Sequence, residues 1–236
     1  MAIHSEAEHE GVVIPAPSGF SARTVGHHFE SAEQEFDSAH IGTWLFLGQE
    51  VLFFSGLFVG YGIFRYLFPE MYVYASGLLD WKLGALNTVV LLFSSFTMVM
   101  AIHAAKTNNV RNTLLYLWIT IICGFIFMGV KAVEYSHKLH DGYVFNNYFH
   151  GAISLETLKS VEGIETLPIF FGLYFSLTGL HGIHVVVGIG LLIWMVVLTR
   201  QRRFYSGYYT PLEMVGLYWH LVDVIWIFLF PLLYLI

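Results

Sequence analysis

Seven ionisable residues stand in, or at the edge of, long apolar runs: Glu50, His103, Glu134, His181, His184, His220 and Asp223. A carboxylate at the centre of a bilayer costs roughly 2.5 kcal/mol or more, so such a group has to be buried against a partner group, against another subunit, or along a polar path. Glu50, inside the run 41–68, is suited to holding a proton or serving a partner's chemistry; a packed carboxyl with one hydrogen bond is the plainer reading. His181 and His184 are three residues apart and share a helix face. Two such imidazoles can ligate a metal or haem, or form structural hydrogen bonds. His220 and Asp223 repeat the spacing, and a carboxylate beside an imidazole can fix its tautomer. Glu134 reads either as an intramembrane group or as a solvated helix-end carboxylate, and His103 as an interfacial histidine.

The elements that must carry these residues are membrane helices. The 236 residues are 56% hydrophobic and only 12% charged, against about 25% charged in a soluble domain. Five apolar runs, at about 42–68, 83–106, 112–135, 168–199 and 213–236, are each long enough to cross a bilayer. The fold class is therefore all-α, a polytopic bundle, with a polar tail over 1–40 and a membrane domain over 41–236. The tail has no basic start followed by the apolar core of a signal peptide, and its 30–39 stretch fits a short amphipathic helix on the membrane surface. The fourth run is long; one continuous tilted helix is favoured over two re-entrant halves meeting near Gly182, because no proline interrupts it. Gly56 and Gly60 have the spacing that lets membrane helices approach closely, although glycine is common in such helices anyway. The single cysteine, Cys123, excludes an internal disulfide and a cysteine-rich metal site. The net charge of −6 resides mostly outside the membrane and points to no nucleic-acid partner.

Five spans place the tail, the 107–111 link and the 200–212 loop on one side, with Arg23, Lys106, Arg111, Arg200, Arg202 and Arg203. The other side receives Arg65, Lys82, Lys131, Lys138 and Lys159. Basic residues clustered at helix ends put the first side inside, giving N-in/C-out. Arg200, Arg202 and Arg203 there suit anionic lipid headgroups. The connection 136–167 contains Tyr143, Phe145, Tyr148 and Phe149 and a possible short helix over 155–161. Such a long aromatic segment suits contact with another subunit or capping of its own helices.

Five stretches together carry a resemblance: Glu50-Val-Leu-Phe-Phe-Ser-Gly, Leu86-Asn-Thr-Val-Val-Leu-Leu, Ala132-Val-Glu-Tyr, Gly179-Leu-His-Gly-Ile-His-Val and Gly216-Leu-Tyr-Trp-His-Leu-Val-Asp-Val-Ile-Trp. In this order and on these helices they resemble subunit III of the haem-copper oxidases, over residues 40–236. The chain is similar to the short bacterial form, because it lacks the first two helices of the seven-helix form, and its 136–167 segment is longer than the family's usual link.

The resemblance implies an accessory subunit docked on subunit I of a proton-pumping oxidase that reduces oxygen to water in a bacterial inner membrane. Subunit II and further oxidase subunits are implied neighbours, and a respiratory supercomplex partner is a candidate for 136–167. It implies no redox cofactor or metal in this chain, haem and copper in partner subunits, and bound phospholipid. Glu50 matches the family's buried carboxylate near a lipid cleft; Glu134, His181, His184, His220 and Asp223 match positions that imply hydrogen bonds. Quinol oxidase and nitric-oxide-reductase-associated relatives stay open. So, from the residues alone, do a stand-alone proton-coupled transporter using Glu50 and Glu134 and a haem-binding cytochrome using the histidines.

Overall fold

The computed structural model describes residues 13–26, 28–140 and 161–236. A two-residue antiparallel pair, β1 (Val13–Ile14) with β2 (Arg23–Thr24), precedes the helices. They run α1 (Ala32–Leu67), α2 (Pro69–Gly77), α3 (Trp81–Lys106), α4 (Val110–His140), a 3-10 turn (Ile164–Thr166), α5 (Leu167–Arg200) and α6 (Thr210–Tyr234). Five of them, α1 and α3 to α6, are long and apolar enough to span a membrane.

The boundaries have local causes. Ser31 caps α1 by accepting from Gln34 N at 3.2 Å, and Gln34 Oε1 returns to Glu30 N at 2.7 Å. With Glu33 and Glu35 in the first turn favouring the helix dipole, α1 starts at Ala32, ten residues before the apolar run. The expected surface helix over 30–39 is thus the leading part of α1. Pro69 ends α1: the residue before it, Phe68, leaves the helical region at φ −131°, ψ 62°. Asp80 caps α3, accepting from Lys82 N at 2.9 Å. The link to α4 turns on Asn108 at φ 59°, a left-handed position that asparagine tolerates. Helix α4 runs on to His140, beyond the expected 135. Helix α5 is one uninterrupted helix, without re-entrant halves. Of the 136–167 connection, only 136–140 and 161–167 are described, so its aromatics and the candidate helix at 155–161 lie outside the described residues.

The closest packing joins α3 to α4, with α5 and α6 completing a four-helix core. In lipid no hydrophobic force drives apolar helices together, so close fit must supply the attraction. Four glycines provide it. A Cβ at Gly188 would lie 2.8 Å from Trp219 Cε3, at Gly124 3.0 Å from Trp219 Cη2, at Gly84 2.8 Å from Phe230 Cδ2, and at Gly216 2.7 Å from Ile102 Cδ1. The pair singled out by spacing does not pack in this way. Nothing lies within 4 Å of a Cβ at Gly56, and at Gly60 only Leu173 Cδ2 approaches, at 4.0 Å.

Helix α1 attaches more loosely. Of its 36 residues, Leu47, Glu50, Phe54 and Tyr61 are buried. Its neighbours are α5 and α6, and Tyr61 OH donates to Leu232 O near its far end. At the near end the β-pair straps across the α5–α6 loop. Ser21 N donates to Arg202 O at 3.1 Å, Arg202 Nη1 to Gly19 O at 3.2 Å, and the Arg23 guanidinium lies 3.9 Å from the Tyr208 ring centroid.

Gly188→Ala should destabilise the fold by about 1–3 kcal/mol, because the Trp219 ring cannot yield without unpacking three helices. Gly56→Ala should change stability by less than about 0.5 kcal/mol. Unfolding midpoints of both variants check the contrast; equal effects would contradict the packing described.

Candidate functional site: two buried ionisable pairs

The first pair joins α1 to α5. Glu50 Oε2 lies 2.9 Å from His184 Nε2, with Glu50 8% exposed. His184 Nδ1 sits 2.8 Å from Leu180 O. A carbonyl only accepts, so Nδ1 carries a hydrogen and donates. Nε2 is then left facing the carboxyl, and one proton lies between them. The pair is neutral as a unit whichever partner holds that proton, which makes it tolerable at bilayer depth. The Phe54 ring stands edge-on to the imidazole at 5.4 Å, and Tyr218 OH donates to His184 O at 2.9 Å. His184 also lines an apolar groove of about 560 Å³ between α1, α5 and α6, walled by Gly42, Thr43, Phe46, Val187, Met214 and Tyr218 among others. The groove is open at its side.

The second pair closes the core where the last part of α4 meets the start of α5 and the end of α6. Lys131 Nζ donates to Glu134 Oε2 at 2.9 Å, to Tyr234 OH at 2.8 Å and to Tyr174 OH at 3.4 Å. Glu134 Oε1 accepts from Tyr174 OH at 2.9 Å and Tyr234 OH at 2.5 Å. All three ammonium hydrogens and both carboxylate oxygens are therefore used. The Trp226 ring lies 4.8 Å from the cation and adds a cation–π contact. Glu134 is 3% exposed, so the solvated helix-end reading is overturned: α4 continues past it, and Tyr174 and Tyr234 cover it.

The remaining candidates fall into different surroundings. His181 and His184 do not converge. His184 turns to α1, while His181 is fully buried against Phe127 and Trp226, at 5.4 Å from each ring. His220 and Asp223 do not bond each other; His220 Nδ1 pairs with Ser95 Oγ at 2.6 Å. His103 is exposed on the last turn of α3, as an interfacial histidine would be. Arg200, Arg202 and Arg203 are exposed at one end, but Arg202 is tied to Gly19. Among the described residues no group of three or more His, Cys, Asp or Glu gathers to hold a metal ion.

The family model for cytochrome c oxidase subunit III matches residues 147–236. A cytochrome c oxidase subunit 3 from Alkalihalophilus pseudofirmus is 32% identical over 213 residues, covering 88% of this chain and 91% of that protein. The chain belongs to the cytochrome c oxidase subunit III family. Another member, from Thermostichus vulcanus, is 31% identical over 208 residues (88% of this chain, 92% of that protein). A quinol oxidase subunit 3 from Bacillus subtilis is 29% identical over 195 residues (83% and 85%). As a subunit III, the chain is a multi-pass membrane protein and part of a haem-copper oxidase complex, associated with its other subunits.

Sequence reasoning missed Lys131, Tyr174 and Tyr234. Lys131 entered the tally of loop charges, yet it is 6% exposed and lies inside α4. The available signal was its i,i+3 spacing to Glu134, which puts both on one helix face.

Replacing one member of the second pair leaves a buried charge without its partner, a loss of roughly 3–5 kcal/mol. Lys131→Met and Glu134→Leu should each destabilise this subunit III by that order, and the double variant should recover much of the loss. A double-mutant cycle on the unfolding midpoint tests this; additive losses would mean that the two residues do not act as a pair.

Proposed function

We propose that this chain is the accessory, redox-inactive subunit III of a proton-pumping terminal oxidase in a bacterial plasma membrane. It packs directly on subunit I, with subunit II and other oxidase subunits nearby. Haem and copper belong to those partners. The observation that carries the reading is the neutral Glu50–His184 pair beside an apolar groove between α1, α5 and α6. The pair can hold and pass a single proton without introducing net charge, and the groove suits a phospholipid chain. Its role is to sustain proton supply and lipid order at the flank of subunit I. Glu50 and His184 are the functional residues in this reading. Glu134, His220 and Asp223 serve the bundle's interior, His181 is the subject of the inference below, and His103 lies at the interface.

Orientation follows from the basic residues. With Lys131 buried, the outer end keeps Arg65, Lys82, Lys138 and Lys159, against Arg23, Lys106, Arg111, Arg200, Arg202 and Arg203 at the other. This supports N-in/C-out. The relatives include proteins named as cytochrome c oxidase and as quinol oxidase subunits, and the donor is set by partner subunits. The 136–167 segment is proposed as a contact for another subunit or a supercomplex partner.

Glu50→Ala should leave assembly and the initial rate close to those of the parent oxidase but shorten its active lifetime during turnover. Counting turnovers to inactivation checks this, and an unchanged lifetime would remove Glu50 from the role. The isolated chain should show no Soret band.

Arg200 and Arg203, unlike the strapped Arg202, should hold anionic lipid headgroups at about 1 kcal/mol each. Native mass spectrometry of the Arg200→Gln/Arg203→Gln variant should find fewer retained anionic lipids. Equal retention would leave these arginines a topological role only.

A further inference from the structure

Three core side chains that neither ionisable pair uses carry unmatched polar atoms. His181 is fully buried, and neither ring nitrogen meets a hydrogen-bonding group among the described residues. Asn87 is fully buried with both amide atoms unmatched. Asp223 is 2% exposed; the Ser95 hydroxyl, paired with His220 Nδ1 at 2.6 Å, can also donate to one of its carboxyl oxygens, which leaves at least the other unmatched among the described residues.

These residues come from α5, α3 and α6, at levels of the bundle within about one helical turn of that of Trp226. The His181 ring lies 5.4 Å from the indole. Trp226 Nε1 donates at 3.1 Å to Thr88 Oγ1, on the residue that follows Asn87. Asp223 precedes Trp226 by three positions on α6, on the same face. Three neighbouring helices thus present unmatched groups at one depth of one core.

An imidazole has at least one ring N–H, an amide has two donors and a carbonyl, and a carboxyl accepts in either protonation state. Burying such groups without partners forfeits their hydration, and folded proteins almost always supply a match. Where no protein group does so, a buried water with two to four polar contacts is the usual partner. We infer that this level of the core is a binding site for a small cluster of ordered water molecules held by His181, Asn87 and Asp223.

A groove of about 390 Å³ between α4 and α5, lined by Lys131, Thr178, Gly179 and Gly182, runs past the same level of α5, with Phe127 in its wall and the His181 ring 5.4 Å behind that of Phe127. The two glycines keep its wall low: even an added Cβ would stay 3.7 Å from Tyr135 OH at Gly179 and 4.0 Å from Met128 Cε at Gly182. The waters complete the hydrogen bonding of α3, α5 and α6 at the depth of Trp226.

A density map of the intact oxidase in native lipid, at a resolution that shows other internal waters, tests the site directly. The expected result is density within about 2.7–3.2 Å of a His181 nitrogen and of the Asn87 amide or the Asp223 carboxyl. Waters elsewhere in the core with none here would overturn the inference. A second measurement reads the sign of a stability change in the assembled complex. If water is the partner, His181→Gln keeps a hydrogen-bonding group and His181→Leu does not, so the leucine variant should unfold about 2–4 °C lower than the glutamine variant. If the site is dry, leucine removes unmatched polar atoms and becomes the more stable of the two, which overturns the inference. Should neither variant assemble, the parent map decides alone.

Discussion

Trp219 is in contact with three helices besides its own. Its ring edges fill the spaces that the absent side chains of Gly188 on α5 and Gly124 on α4 leave open, and its Nε1 donates to Ser94 Oγ on α3 at 3.1 Å. A bilayer offers helices no gain from hiding apolar surface, so a bundle coheres where backbones approach closely and every buried polar atom is matched. One indole meets both requirements here. Displacing it would open gaps against α4 and α5 and release a donor into an apolar interior. The other close approaches, Gly84 to Phe230 and Gly216 to Ile102, repeat the device between α3 and α6.

The same constraint governs charge. Lys131 and Glu134 are tolerated because two tyrosine hydroxyls and an indole face complete their shells. That arrangement also fixes the end of α6, since Tyr234 is the last residue of that helix. A closed, fully matched cluster of this kind is poorly suited to passing protons onward, because each donor already has an acceptor. Glu50 and His184 differ. They have few other partners and stand beside the groove between α1, α5 and α6. The proposed function rests on this chemical contrast between a saturated and an unsaturated pair.

How far this was legible in the sequence differs by element. The five spans were, because twenty or more apolar residues in a row have few other uses. Their ends were less so: α1 begins ten residues early because a capping serine and two acidic residues extend it out of the membrane. Glu50 was legible as a costly residue, but its partner was not. The three-residue spacing of His181 and His184 suggested a shared task, whereas the roughly 60° between them on the helix sends one to α1 and the other into the core. Lys131 was hidden by its type, since a lysine near a span's end reads as a loop charge. The glycines misled in the opposite direction. Gly56 and Gly60 have the familiar spacing and touch little, while Gly124 and Gly188 lie on different helices and meet the same tryptophan on a third.

The loose attachment of α1 ties these points together. Four residues bury it, and its polar links to the core are Thr43 Oγ1 to Met214 Sδ at 3.0 Å, Tyr61 to Leu232 O, and the Glu50–His184 bond between them. Interhelical hydrogen bonds in membranes contribute on the order of 0.6–2 kcal/mol, too little to lock a helix of this length but enough to set its register. The pair proposed to handle a proton is therefore also the mid-span fastening of α1.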